Sequence, residues 1–433
     1  MADASRPPLT LSADSFAAHM DAAKAPRSIA IAVSGGRDSM ALAHLCAAWA
    51  KSAGAAVLAL TVDHGLRAEA KHEAEQTKRW SEAMGLAHRT LVWEGDKPQS
   101  GLQAAARAAR YKLLIETSQR ENCGALLTAH TMDDQAETVF MRLSRGAGLR
   151  GLSAMRAESL VAAGAGEPLR LMRPLLGVRR DEVTAYLQAP GQAYVDDPSN
   201  LDDRFERVRV RALLAALSEQ ELMSAEALCA SARKLASADD AVRQHEETLF
   251  DRLGGCFTAW GGALLDRWDA AAPAAAGLAR RLLHAVGGGA YAPDGHAAAQ
   301  AMAGAGAATL AGVLIRRWRG KLWLVREPAA LLGRAGVPPL GAAPVIAPML
   351  WDGRFIVTPA ASAGLEIAPL GAAEMTVDTS AFTGPPEGLS AAPGLYQRGV
   401  LIASPALPFM RSEAAAFRSL TRERFLGRIV RFP

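Results

Sequence analysis

The chain has 433 residues, half of them apolar and 21% charged, with a formal net charge of only +4. That length suggests two or three domains with a sizeable core, and so small a charge does not by itself announce a nucleic-acid partner. Apolar runs such as 28–33 and 57–62 fall far short of the ~20 residues a spanning helix needs, so no membrane partner is expected.

The N-terminus, 1–14, lacks a basic patch followed by an apolar core, which makes cytoplasmic residence the default. In chain order, 28–33 reads as a buried strand and 38–53 as a helix ended by Gly54. Strand 56–62, helix 68–84, strand 88–93, helix 102–121, strand 125–129 and helix 132–143 follow. Strands separated by helical crossovers predict an α/β fold with a parallel sheet and helices on both faces. From about Arg204 the pattern turns helical, over 205–217, 221–252 and 270–286. Residues 309–318 and 321–326 around Arg319-Gly320 then predict a β-hairpin. A Gly/Pro/Ala-rich stretch, 331–348, reads as a linker before a small, mostly β region with strands near 354–357 and 365–368.

Chemistry-bearing residues gather where parallel strands end, which is where such sheets bind ligands. Ser34-Gly35-Gly36-Arg37-Asp38-Ser39 follows the first strand and opens a helix. Its glycines allow a tight turn that aims successive N–H groups at one anion. Asp38 cannot face phosphate unpaired, so its natural role is to hold a magnesium ion. The alternative is an ordinary turn with Asp38 as a cap. Asp63-His64-Gly65-Leu66-Arg67 closes the second strand, where Arg67 can reach phosphate and Asp63 or His64 can order a nucleotide. After the fourth strand, Asp133, Asp134 and Glu137 open a helix behind His130, with Asp134 and Glu137 on one face. Capping alone would explain one acid there, not three.

These segments, with Ala109-Arg110-Tyr111, the Arg-Gly-x-Gly-Leu-x-Gly-Leu run at 145–152, Arg173-Pro174-Leu175-Leu176 and Asp197-Pro198-Ser199-Asn200, form an ordered set. The set resembles the tRNA(Ile)-lysidine synthetase family of PP-loop ATP pyrophosphatases, over about the first half of the chain. Thr131 and Val208 depart from that family's pattern. The resemblance implies an adenine-nucleotide α-hydrolase-like catalytic domain over 1–217, a helical middle domain over 218–335 and a tRNA-binding domain over 336–433.

It further implies a ligase that uses ATP to adenylate the wobble cytidine of the CAU anticodon of tRNA(Ile). Free L-lysine then displaces AMP to give lysidine. ATP would lie on Ser34, Gly35, Gly36, Arg37, Asp38, Ser39, Asp63, His64 and Arg67, with Mg2+ on Asp38. Lysine would lie on Asp133, Asp134 and Glu137, with Asp38, Asp134 and Glu137 catalytic. Arg110, Arg145, Arg207 and Arg211 would meet tRNA, and Arg110 reads equally well as a surface helix arginine. Oligomeric state stays open, a homodimer being one option.

The tail, 409–433, carries six arginines against two glutamates among four phenylalanines. It suits either a tRNA phosphate contact or a helix docking its phenylalanines on the last domain. The nearest rival is a sulfur transferase on the same loop, which needs a reactive cysteine or a cluster. Cys46, Cys123, Cys229 and Cys256 form no Cys-x-x-Cys pair, so that rival lacks its usual ligands. A nucleotide-binding regulator would leave the acids at 133–137 without purpose, and a small-molecule ligase would not need the basic tail.

Overall fold

A computed structural model of the chain describes residues 11–65, 70–95, 97–98, 100–162, 166–195, 202–334, 338–360, 364–372, 378–407 and 415–431. Arg67, the 197–200 motif, Phe409, Arg411, Phe432 and the Arg431 side chain lie outside the described residues. The chain divides into two compact units, Met1–Val161 with Leu169–Ala241, and Ala162–Pro168 with Val242–Pro433.

The first unit opens with α1 (Ala13–Ala22), β1 (Ser28–Ala32), α2 (Arg37–Ala53), β2 (Ala56–Asp63), α3 (Ala70–Ala83), β3 (Ala87–Val92) and α4 (Leu102–Arg120). It continues through β4 (Ala125–Leu127), α5 (Met132–Ser144), α6 (Leu149–Leu152), β5 (Glu158–Ala162), β6 (Leu169–Met172), α7 (Arg180–Gln188) and α8 (Glu206–Glu219). The division into units falls within α9 (Ala225–Arg252).

The strands run β5-β6-β4-β1-β2-β3. β1 pairs in parallel with both β2 and β4, β2 with β3, and β4 with β6, as expected of an α/β sheet. β5 is the exception: it runs antiparallel to β6, and neither strand was legible from periodicity. A hairpin needs no helical crossover, so the alternation of strand and helix that reveals the rest is missing there.

α1, α2 and α7 bury Phe16, Met20, Met40, Leu42, Trp49, Val183 and Leu187 in one core with Ile29 and Ile31 of β1. That burial fixes the starts of α2 and α7, on which the site depends. α8 differs, since Val210 is its only buried residue.

The second unit holds helices Ala275–Gly287 and Gly295–Ala303 with a five-stranded sheet. The expected hairpin is present, with Trp318 opposite Lys321. Its first strand is shorter than expected: residues 311–312 make a second turn, with φ of 52° at Ala311 and 72° at Gly312, before strand Val313–Trp318. Four- and three-stranded antiparallel sheets follow, the β-rich end that the sequence predicts.

The expected linker is not a free one. Leu331 and Val345 are buried with Trp351, Phe355, Ile367 and Leu395, and Ala343–Pro344 pairs with a neighbouring strand. In the basic tail Phe425 packs on Phe250 and Phe257 beneath the Arg281 guanidinium. Buried Arg424 donates to the carbonyls of His284 and Gly289. Docking therefore accounts for these two residues, while Arg422 and Arg428 remain exposed. No helix among the described residues is long and apolar enough to cross a membrane.

Candidate active site

The loop after β1 is closed on itself. Ser39 Oγ donates to the Gly36 carbonyl at 2.8 Å and accepts from the Ser34 N–H at 3.1 Å. Gly36 is the N-cap of α2 and offers no side-chain cap, so the first N–H groups of the helix remain available to an anion.

Gly35 sits at φ 83°, and a Cβ there would run into Thr77 Oγ1 of α3. On its other side the Val195 N–H donates to the Gly35 carbonyl at 2.8 Å. Gly35→Ala is therefore expected to cost about 2 kcal/mol or more, beyond the usual strain of alanine at positive φ. Thermal melts of the full chain check this, and adding Thr77→Ala should recover part of the loss.

Beside the loop, at the ends of β1 and β2, lies a cavity of about 320 Å3. Val33, Ser34, Asp63, His64, Glu73 and Arg110 are in its walls. His64 stands edge-on to Trp93, and its Nδ1 is buried without a hydrogen-bond partner among the described residues. Burial pulls His64 below the ordinary histidine value, Arg110 pulls it further, and Asp63 opposes them. Asp63 Oδ1 accepts from the Gly65 N–H at 2.8 Å, which shapes the turn. Arg110 thus lies with the loop residues and not on an outer helix face.

The acids of α5 form the second half of the site. Asp134 divides its work between its two oxygens. Oδ2 accepts from the Thr131 N–H at 2.8 Å, completing a capping box with Thr131. Oδ1 lies 3.2 Å from Arg180 Nη2 and 3.1 Å from Arg207 Nη2. The capping reading of the sequence is therefore met at Oδ2, while Oδ1 faces two arginines.

Glu137 is buried, with Oε1 2.8 Å from Arg211 Nε and 3.3 Å from Arg180 Nη1, and Oε2 2.5 Å from Arg207 Nε. Asp133 Oδ2 accepts from the Arg180 N–H at 2.7 Å. Burial alone would raise Asp134, but Arg207 and Arg180, helped by the Thr131 N–H, hold it below the ordinary carboxylate value. His130, bonded through Nδ1 to Thr128 Oγ1, is pushed well below its ordinary value by burial and then by Arg173, Arg110 and Arg107, with Asp134 opposing. A neutral imidazole at neutral pH follows.

Asp38 links the halves. Its Oδ1 accepts from Arg37 Nε at 3.0 Å, and its Oδ2 lies 3.7 Å from Arg180 Nε. Arg180, which reaches Asp38, Asp134 and Glu137, is the member of this cluster that sequence reasoning missed. Of the four arginines assigned to tRNA, Arg207 and Arg211 lie against the acids, exposed Arg145 pairs with Glu206, and Arg110 borders the cavity. They do not make one basic surface.

Among the described residues no group of three or more His, Cys, Asp or Glu is arranged to hold a metal. A single hard carboxylate at the loop fits magnesium carried by phosphates, which protein sites commonly bind through one or two carboxylates. All four cysteines are free, and three are buried. Burial raises the Cys46 and Cys123 thiols and pushes Cys229 up to about 12. Such thiols make poor sulfur carriers.

The PP-loop domain family matches residues 9–217. The tRNA(Ile)-lysidine synthase of Rhodopseudomonas palustris is 47% identical over 221 residues, covering 51% of this chain and 62% of that protein. The enzyme of the same name from Bradyrhizobium diazoefficiens is 47% identical over 221 residues, covering 51% of this chain and 60% of that protein. The chain thus spans about three fifths of the length of these two relatives.

The Ruegeria pomeroyi tRNA(Ile)-lysidine synthase matches more fully, at 35% identity over 413 residues, covering 92% of this chain and 93% of that protein. Among solved structures, the U34-tRNA thiolase NcsA of Methanococcus maripaludis overlaps with a TM-score of 0.42 at 19% identity, over 48% of this chain and 71% of that one. With a relative matched across nearly its whole length and the PP-loop domain in place, this chain belongs to the tRNA(Ile)-lysidine synthase family.

Proposed function

We propose that the chain is an ATP-dependent ligase that adenylates the wobble cytidine of tRNA(Ile) carrying a CAU anticodon and joins free L-lysine to it. The observation that carries this reading is the adjacency of β1 and β4. Their neighbouring carboxyl ends open the phosphate loop and the acid-bearing helix side by side. A phosphate-gripping loop and an ammonium-binding helix are the two parts such a reaction needs.

The cytidine C2 oxygen is a poor leaving group, and bonding it to the α-phosphorus of ATP corrects that as pyrophosphate departs. The loop N–H groups and Ser34 and Ser39 hydroxyls would grip the pyrophosphate. Magnesium, when bound through Asp38, supplies countercharge on the leaving side. His64, Asp63 and Arg110 would order the nucleotide in the cavity.

Lysine's amine, with a reference pKa of about 10.4, arrives protonated. Asp134, held ionised by its arginines, suits binding an ammonium group, with Glu137 and Asp133 beside it. One of these carboxylates takes a proton from the ammonium, the freed amine attacks C2, the C2–oxygen bond breaks to release AMP, and the new C–N nitrogen loses its extra proton to solvent. Arg145, Arg207 and Arg211 would meet the anticodon stem. Cytoplasmic residence would suit a tRNA substrate.

Incorporation of radiolabelled lysine into unmodified tRNA(Ile) transcript, dependent on ATP and magnesium, tests the reading. Folded protein that incorporates none would sink it.

A further inference from the structure

No motif in the sequence points to Arg180, yet it touches more of the acid cluster than any other cation among the described residues. Its backbone is fixed independently of its charge. The Arg180 N–H donates to Asp133 Oδ2 at 2.7 Å, and its carbonyl accepts from Thr184 Oγ1 at 2.8 Å. Val183 and Leu187 root α7 in the core shared with α2. Arg207 and Arg211, by contrast, stand on α8, where only Val210 is buried. The scaffold places Arg180, whereas ion pairs place the other two.

From that anchor one guanidinium reaches three carboxylates. Nη2 lies 3.2 Å from Asp134 Oδ1, Nη1 3.3 Å from Glu137 Oε1 and Nε 3.7 Å from Asp38 Oδ2. Asp38 belongs to the helix after β1, and the other two to the helix after β4. Left alone, acids brought together by two helix starts would repel one another. A planar fork with several fixed donors can set their spacing, which a compact ammonium cannot. At 17% side-chain exposure, Arg180 is also shielded from the water that would weaken such contacts.

We propose that Arg180 is a positioning residue that holds Asp38 of the nucleotide loop and the amine-binding acids Asp134 and Glu137 at a set separation. The lysine amine then waits within reach of the carbon that the loop activates. This inference rests on the reaction proposed above. When the amine is misplaced, water adds to C2 of the adenylated cytidine instead. The C2–oxygen bond to AMP breaks, the water oxygen becomes the new carbonyl oxygen as its protons leave, and cytidine and AMP are returned. Pyrophosphate is then released without lysidine being made.

Arg180→Gln and Arg180→Ala in the full chain test this, with tRNA(Ile) transcript, ATP, magnesium and labelled lysine. Two quantities are read: pyrophosphate released per lysine incorporated, and KM for lysine. Neither depends on how much of the sample is folded. The wild-type ratio should be one. In both variants the ratio is expected to rise to about three or more and the lysine KM about tenfold, as displaced reactants demand.

A ratio of one with wild-type lysine KM in both variants makes Arg180 an ordinary structural ion pair and overturns the inference. Complete loss of pyrophosphate release in both places it in the first step alone, which also overturns the coupling role. Wild-type protein that incorporates no lysine overturns the proposed reaction, and this inference with it.

Discussion

Asp38→Asn is expected to abolish ATP-dependent pyrophosphate release, by about a thousandfold or more, while the protein stays folded. Asparagine keeps the size of the side chain but removes the charge that would hold a cation against the phosphates. The Asp38 side chain is 24% exposed and its near partner Arg37 is 28% exposed. A pair of that kind contributes only about 0–1 kcal/mol to stability, and the 3.7 Å approach of Arg180 Nε is too long for a hydrogen bond, so its loss should add little. Activity and stability should therefore separate cleanly. Pyrophosphate release measured beside a thermal melt checks both, and near-wild-type release would remove Asp38 from the chemistry.

Glu137→Gln should behave differently, because stability and function meet at that residue. Its side chain is 2% exposed and contacts Arg180, Arg207 and Arg211. Removing its charge leaves Arg211 facing only an amide oxygen there, and Arg180 and Arg207 dependent mainly on Asp134 for a counter-charge. Breaking a buried pair in this way costs about 3 kcal/mol, or about 6–12 °C in melting temperature for a unit of this size. Among the molecules still folded, the lysine KM should rise about tenfold or more, with pyrophosphate release less affected. An unchanged dependence on lysine would show that α5 does not bind the amine.

The parts of this site that the sequence discloses are those set by local spacing. Gly35 and Gly36 declare a tight turn because a strand precedes them and a helix follows. Asp134 and Glu137 declare a shared face because helical periodicity puts them there. Arg180 declares nothing. The pair Arg179-Arg180 before two acids looks like any helix start, and its tie to Asp38 spans 142 positions of chain.

That tie depends on where α7 docks against α2, which is settled by Val183 and Leu187 in a distant core. The same limit hid β5 and the strands Cys256–Phe257 and Ala263–Leu265, which are too short or too locally ambiguous to carry a period. Arg207 and Arg211 show the converse. Their presence was legible, but their partners were not, because an arginine's reach is decided by the fold.

Thr77 and Val195 change what a transplant of this loop would require. Grafted into another strand–turn–helix, residues 34–39 would bring their glycines and hydroxyls but neither wall. Thr77 stands where a Gly35 side chain would go, and Val195 ties down the Gly35 carbonyl. Without them the graft would be free to flatten into an ordinary turn. A design seeking to borrow this loop must import a threonine from the next helix and an extended segment about 160 residues downstream.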